Sequence, residues 1–465
     1  MRNDKAFLVG IGGSGMMPLA MILRGRGVRV AGSDRSLDQG RVPAKFDALR
    51  DLGVELFAQD GSGVTSPDQL VVASAAVEAS VPDIVAADRL GCPRMTRAEL
   101  NATLFNEAAI SIGVAGTSGK STVTGMIASI LHALDRDPTV MNGAVMKDFA
   151  SADAPFASAL VGGGETYVSE VDESDGSIAL YRPTVAVLNN VSLDHKSMDE
   201  LRALFGDFLD QGGWAVVNAD DPEARAILEA RRPELSLTYS VEGEAGFVAT
   251  DLREEPFAVS FDLADAGVPV GRVRLQVPGR HNVSNALAAL AACAAVGVSL
   301  PDAMEAIQGF TGLRRRFDLV GEAGGVLVID DFGHNPDKIA ATLRTLHAFP
   351  GRLLLLFQPH GYGPLKVMRD ELIETFAREL GDEDALVMPD PVYQGGTVKR
   401  EVGSEHIVAG VAASGRAARH VPDRAEAART LVDAARPGDR IVVMGARDDS
   451  LSLLAEAMVR DLAAR

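Results

Sequence analysis

The run Gly116-Thr117-Ser118-Gly119-Lys120-Ser121-Thr122 holds the residue types from which a phosphate cradle is made. Its glycines let backbone N–H groups turn toward an anion, and a helix start adds positive potential. Lys120 supplies a point charge, and Ser121 offers a hydroxyl to Mg2+. The run ends an apolar, β-like stretch from Ala109 to Ala115. It opens a helical pattern with apolar residues at Met126, Ile127, Ile130, Leu131 and Leu134. An ordinary strand-to-helix turn is the alternative reading. Val114 stands where the eight-residue Walker pattern requires glycine, which points to families with the shorter loop.

Two later stretches end apolar strands in polar groups. Glu170-Val171-Asp172-Glu173-Ser174-Asp175 puts four carboxylates at a strand end, a donor set that suits a hard cation such as Mg2+. Leu188-Asn189-Asn190-Val191-Ser192-Leu193-Asp194-His195 has the same form. Alone, the first reads as a solvated acidic turn and the second as a capped helix start. Following a phosphate loop, all three converge on one crevice.

An earlier glycine run, Gly10-Ile11-Gly12-Gly13-Ser14-Gly15, lies between a strand at 7–10 and a helix through about Leu23. Asp34 follows the next strand (Val28 to Ala31), as in dinucleotide-type turns. Diphosphate binding and plain helix–strand packing both fit it. Farther on, Asn282 in Pro278-Gly279-Arg280-His281-Asn282-Val283-Ser284-Asn285 either caps a helix or, as a carboxamide, reads adenine. Arg314-Arg315-Arg316-Phe317 offers a guanidinium for phosphate. Asp330-Asp331-Phe332-Gly333-His334-Asn335-Pro336 is a strand end with carboxylates, a histidine and a proline at a helix start.

These residues need a scaffold, and the chain is long enough for several cores at 465 residues. Strands are expected at Leu70–Ala73 (ending at Ser74), Tyr167–Val171, Val185–Leu188 and Ala215–Val217. From Phe247 to Val277, alternation broken by turn residues predicts antiparallel strands at a sheet margin, then a helix over Val283–Val296. Strands at Val326–Ile329, Leu353–Phe357, Ala385–Met388 and Ile441–Met444 alternate with helices near Lys338–His347, Val367–Leu380, Arg424–Ala434 and Leu451–Leu462. Such alternation means a mostly parallel, doubly wound sheet. The expected architecture is three α/β domains: a Rossmann-like one at 1–106, a phosphate-loop domain with a mostly parallel sheet at 107–313, and a Rossmann-like one at 314–465.

Hydrophobic residues make up 47% and charged residues 23%, as in a globular protein. A net charge of −19 argues against a nucleic-acid-binding surface. No apolar stretch is long enough to span a membrane. With only Cys92 and Cys293 there is neither a disulfide framework nor a zinc spacing. The first residues run straight into a strand, and the expected location is cytoplasmic.

In order, GIGGSGM, GTSGKST, EVDESD, NNVSLDH, GRHNVSNALAA, RRRFD and DDFGHNP resemble the motifs of the Mur ligase family, the ATP-dependent amide-forming enzymes of peptidoglycan precursor synthesis. The likeness spans essentially the whole chain. Within the family it is most similar to members that join L-alanine to UDP-N-acetylmuramate, and next to those that attach a ready-made tripeptide. The resemblance implies that ATP phosphorylates the sugar nucleotide's carboxylate and that an amine displaces phosphate. It places ATP phosphates on Gly116 to Thr122, with Lys120, Glu173 and His195 catalytic and Mg2+ on Ser121, Glu173 and His195. Asn282 and Asn285 match adenine-binding positions, Asp331 a ribose contact, and Arg316 and His334 phosphate contacts. Gly12, Gly13, Ser14 and Gly15 match the cradle for the UDP pyrophosphate, with Asp34 and Ser74 lining that site.

The chain departs from the L-alanine-adding pattern in places. Ser118 replaces a histidine, Ser121 a threonine and Asn335 a second histidine. Gln358-Pro359-His360-Gly361-Tyr362-Gly363 lacks an arginine after the histidine. Arg447 or Lys366 is then left to hold an amino-acid carboxylate. No lysine occurs from 197 to 337, so the carbamoylated lysine that some members carry after the DH motif is absent unless Lys196, poorly placed for it, serves. Three rival readings follow: a ligase with another amine or carboxylate, such as a recycled peptide, a non-catalytic ATP-binding homologue, and a nicotinamide oxidoreductase. The last leaves GTSGKST without a role.

Overall fold

The computed structural model describes residues 4–75, 77–192, 196–392, 400–446 and 448–465. The chain divides into two compact units, Met1–Gly312 and Leu313–Arg465.

The first unit contains two sheets. One is five-stranded, with β1 (Lys5–Val9), β2 (Arg29–Ser33), β3 (Glu55–Phe57), β4 (Leu70–Ala73) and β5 (Arg94–Thr96) in the order β3-β2-β1-β4-β5. All its pairings are parallel, so the chain reverses direction of winding between β1 and β4. The C-terminal ends of those two strands therefore flank a crevice.

The second sheet has ten strands: β6 (Ile110–Ala115), β7 (Thr139–Met141), β8 (Ala159–Leu160), β9 (Thr166–Glu170), β10 (Val185–Leu188), β11 (Trp214–Asn218), β12 (Ser236–Ser240), β13 (Phe247–Glu255), β14 (Ala258–Asp265) and β15 (Val268–Leu275). Their order is β15-β14-β13-β12-β11-β10-β6-β9-β7-β8. The central strand β6 lies parallel between β9 and β10. Val185-Ala186-Val187-Leu188 is fully buried, as a parallel strand covered on both faces requires. The margin β13–β15 is antiparallel, as expected. Its last hairpin turns at Ala266 and Gly267, both with positive φ (46° and 80°), the geometry of a two-residue turn matched to strand twist.

The two sheets of this unit share one apolar core, which runs from Leu8 and Leu19 through Phe105 to Tyr167 and Phe208. Buried Asn101 stitches them together. Its amide donates to Ser169 Oγ (3.0 Å) and Tyr181 Oη (2.8 Å), and its carbonyl accepts from Tyr167 Oη (2.8 Å). Contacts on both sides of residue 106 thus make one compact unit of what the sequence reads as two domains.

The second unit carries β16 (Asp318–Ala323), β17 (Val326–Asp331), β18 (Leu353–Phe357), β19 (Ala385–Met388), β20 (Ala417–His420) and β21 (Arg440–Met444). Their order is β16-β17-β21-β18-β19-β20, with only the edge strand β16 antiparallel. The helix expected over Val367–Leu380 is found at Arg369–Glu379, and a short helix not expected from sequence, Tyr362–Val367, precedes it. Met368 joins them at φ −91°, ψ 8°, outside helical geometry, and Asp370 and Glu371 complement the dipole of the new helix start. Elements not expected from sequence include β3, β5, β7, β8, β12, β16, β20 and the helix Ser404–Ala413. Among the described residues no helix is long and apolar enough to cross a membrane.

Candidate active site

The loop after β6 is set by two glycines with positive φ, Gly116 (131°) and Gly119 (83°). A Cβ at Gly119 would lie 2.7 Å from Asn285 Oδ1 and 2.8 Å from Asn189 Nδ2, so only glycine fits. The helix Lys120–Ala133 follows at once. Its first hydrogen bond runs from Val123 N–H to the Gly119 carbonyl (3.0 Å), so the N–H groups of residues 119–122 look to an acceptor outside the helix.

The neighbouring strand end holds this loop in shape. Asn190 accepts from Ser118 N–H (2.9 Å) and donates to the Ser118 carbonyl (3.1 Å), which satisfies both backbone groups of one residue. Asn189 accepts from the buried hydroxyl of Tyr239 (3.1 Å). Thr117 Oγ1 accepts from Ser192 N–H (3.0 Å). Of the next residues in that run, Asp194 and His195 lie outside the described residues.

Charge is gathered on the other side of β6. Lys120 Nζ donates to the Gly116 carbonyl (2.7 Å) and pairs with Glu173 (3.0 Å), a residue only 5% exposed. Burial alone would depress the Lys120 pKa, but Glu173, Asp172 and Glu170 outweigh it and hold it above the ordinary value. Asp172 is pushed up by burial yet ends below the ordinary range, because Lys120, Ser174 and Arg97 favour its charged form. Ser121 Oγ donates to Glu170 (2.8 Å), not to Glu173. The two residues expected to share a metal are thus engaged with different partners, and Glu170 takes the place beside the hydroxyl. Glu170 is the last residue of β9, opposite Val114, and that register is what the motif alone could not show. A side chain at Gly143 would collide with the Glu170 carboxylate. Among the described residues no group of three or more His, Cys, Asp or Glu side chains could hold a metal.

The helix Arg280–Ala295 brings Asn282 and Asn285 to the same loop. Asn282 donates to the Pro278 carbonyl (2.7 Å) and accepts from Asn285 (3.2 Å), while Asn285 abuts Gly119. Asn282 lies inside the helix, so it is not the helix cap; Gly279 is.

The first glycine turn follows β1. Asp34 Oδ2 accepts from Gly12 N–H (2.9 Å) and Oδ1 from Ser36 N–H (2.7 Å), so both oxygens close local backbone. Lys45 donates to the Gly12 carbonyl (3.0 Å). Gly13 and Ser14 are exposed, and Ser74 follows the end of β4 across the crevice. A single cavity of about 110 Å3 joins this turn to the phosphate loop, lined among others by Gly15, Arg97, Lys120, Glu170 and Asp172. The sequence does not single out Arg97, and it shows Glu170 only as one of four carboxylates at its strand end, without its place beside Ser121.

The second unit has its own cluster. Asp331 accepts from Phe317 N–H (2.8 Å), Gly333 N–H (2.8 Å) and Thr342 Oγ1 (3.0 Å), and only 7% of it is exposed. Arg316 lies 4.1 Å over the Phe332 ring. Buried Arg315, the residue before Arg316, pairs with Asp330 and donates to the Gly445 carbonyl (2.6 Å). His334 packs edge-on against Phe332 and His360, and burial, with Lys338, drives its pKa down to about 3. Asn335 caps the next helix by accepting from Lys338 N–H (3.0 Å). Lys366 is paired with Glu401, and Arg447 lies outside the described residues.

Residues 7–108 match the profile "Mur ligase family, catalytic domain", 114–293 "Mur ligase middle domain" and 315–447 "Mur ligase, glutamate ligase domain". The chain is 36% identical to the UDP-N-acetylmuramate–L-alanine ligase of Agrobacterium fabrum, over 94% of this chain and 93% of that one. The UDP-N-acetylmuramate-alanine ligase of Thermotoga maritima shares the fold, with a TM-score of 0.82 at 24% identity and 99% of both chains covered. So does a murein peptide ligase of Psychrobacter arcticus, with a TM-score of 0.73 at 23% identity and 99% of both chains covered.

Proposed function

Because the chain belongs to the Mur ligase family and is an ATP-dependent ligase of peptidoglycan synthesis, we propose that it joins UDP-N-acetylmuramate to L-alanine. The observation that carries this reading is the cavity lined by both Gly15 and Lys120. It puts the end of a diphosphate-type turn and the start of a triphosphate loop on one space, as transfer from ATP to a sugar-nucleotide carboxylate requires.

In this reading, residues 1–106 hold the sugar nucleotide, with its pyrophosphate on Gly12 to Gly15 and Asp34 and Ser74 alongside. Residues 107–313 hold ATP, with phosphates on Gly116 to Thr122 and adenine at Asn282 and Asn285. Residues 314–465 hold the amine, and Arg316, Asp331 and His334 serve the nucleotide. Lys120 leaves Glu173 and the Gly116 carbonyl for the β- and γ-phosphates. The carboxylates Glu173, Asp172 and Glu170 outweigh burial and keep it protonated for that exchange. A carboxylate oxygen then attacks the γ-phosphorus, and the bond to ADP breaks. The amine nitrogen attacks the acyl carbon, phosphate leaves and the nitrogen loses a proton. Catalysis of this kind is positioning and charge neutralisation.

Ser121 and Glu170 form a pair of hard oxygen donors, and Glu173 lies on the same short segment. That set suits Mg2+, which takes few protein ligands and completes its shell with water and phosphate. Mg2+ would supply charge neutralisation at the phosphates, with His195 a further ligand. Nucleotide substrates also favour a cytoplasmic site of action.

The test is phosphate release with UDP-N-acetylmuramate against a panel of amino acids and short peptides. L-Alanine should stimulate most. No stimulation by any amine would sink the acid substrate. A second reading, ligation of a ready-made peptide, is favoured by Asn335, whose side chain is spent on a helix cap where the L-alanine-adding pattern has a histidine; stimulation by a tripeptide alone would select it.

A further inference from the structure

Arg97 is the first residue of the helix Arg97–Asn106, where a cation opposes the helix dipole. Its side chain is half-buried, yet among the described residues no hydrogen bond or ion pair holds the guanidinium. Several other buried or half-buried cations are matched by a carboxylate: Lys120 by Glu173, Arg315 by Asp330, Arg352 by Asp439. The Arg97 arm runs across Gly15. A Cβ there would lie 2.7 Å from Nη1 and 3.0 Å from Cδ, so glycine at 15 is what lets the arm pass. Beyond Gly15 it reaches the cavity that Lys120, Glu170 and Asp172 also line. Asp172 feels its charge without being in ion-pair contact.

We propose that Arg97 binds the carboxylate of the acid substrate, and the acyl phosphate made from it, and so selects an acid-bearing sugar nucleotide. The proposal rests on the ligase reading above. Glu170 and Asp172 would repel an incoming carboxylate, and Lys120 is committed to Glu173 and then to phosphate. Arg97 is the cation of this cavity with no partner to give up. Its planar fork matches a carboxylate with two parallel hydrogen bonds and stays charged at any working pH. Its position beside Gly15 puts that fork between the diphosphate turn and the loop that presents the γ-phosphate.

The experiment compares binding of UDP-N-acetylmuramate with that of UDP-N-acetylglucosamine, which lacks the lactyl acid, by calorimetry on the full-length wild type, Arg97→Ala and Arg97→Gln. The wild type should prefer the acid by about 10- to 100-fold. Either variant should bring that ratio to within about threefold of unity, with affinity for the neutral sugar and for ATP changed by less than about twofold. If the alanine variant fails to fold, the glutamine variant, which keeps most of the stem, decides. A wild type that does not bind the acid, or shows no preference for it, overturns the acid-substrate reading together with this proposal. A wild type that prefers the acid while both variants keep the preference, or lose both sugars alike, overturns the role of Arg97 alone.

Discussion

The chain contains two strand–glycine turn–helix units and holds them with different chemistry. In the first, a carboxylate from the next strand, Asp34, closes the turn on Gly12 N–H, and Lys45 clamps the Gly12 carbonyl. Both charges there are fixed to backbone. In the second, neutral carboxamides do the holding, with Asn190 on both backbone groups of Ser118 and Asn189 tied to Tyr239. Lys120 also reaches back to the Gly116 carbonyl, but it lines the cavity together with the carboxylates Glu170 and Asp172. A turn that only needs its N–H dipoles can be closed with a carboxylate, whereas a turn that handles a triphosphate has to keep its charge for the ligand.

The largest effect should come from removing that charge. Lys120→Ala should lower phosphate release by about 10^3-fold or more, and it should also lower the melting temperature by a few degrees, because Glu173, only 5% exposed, is left as a buried carboxylate without its cation. Near-normal turnover would break the distinction between the turns. Chelating Mg2+ should come next. ATP binding should weaken by about 30-fold, while sugar-nucleotide binding, at a turn with no metal-type donor pair, should change by less than about twofold. Equal weakening at both would erase the contrast. Asn190→Asp keeps the acceptor for Ser118 N–H but sets an oxygen against the Ser118 carbonyl. It should raise the KM for ATP by about tenfold and leave that for the sugar nucleotide alone; a normal KM would mean the amide clamp is not what shapes the loop.

Much of this contrast was legible in the sequence. Glycines, Lys120, Ser121 and the strand ends at 170–175 and 188–190 announce themselves by type and spacing, and the parallel strands by continuous apolar runs. What was not legible depends on register and side-chain reach. Glu170 sits beside Ser121 because β9 pairs with β6 at Val114, a pairing that no local pattern encodes. Arg97 enters the site over a glycine more than eighty residues away in sequence, and its own surroundings, an arginine at a capped helix start, look unremarkable. The short helix Tyr362–Val367 was missed because Gly361, Gly363 and Pro364 read as a turn, while the helix after Met368 starts within two residues of its expected position. Asp331 shows another limit: a carboxylate at a strand end reads as a ligand, but the three donors of its own unit that bind it, Phe317 N–H, Gly333 N–H and Thr342 Oγ1, could not be read from the local pattern.

The smallest effect separates two uses of Asp34. If it only closes the turn, Asp34→Asn should keep the Ser36 contact through the remaining oxygen and place an amide N–H against Gly12 N–H. That costs about 1 kcal/mol, a fall of about 2 °C in Tm for a unit of this size. Sugar-nucleotide affinity should then change by less than about threefold, because losing a negative charge beside a phosphate cradle partly offsets the looser turn. If instead Asp34 gives up a backbone contact to accept from the ligand, the same substitution should weaken sugar-nucleotide binding about tenfold and leave ATP untouched. Calorimetry and a melt on one variant distinguish the two. That each carboxylate oxygen already accepts a backbone N–H, from Gly12 and from Ser36, favours the first outcome.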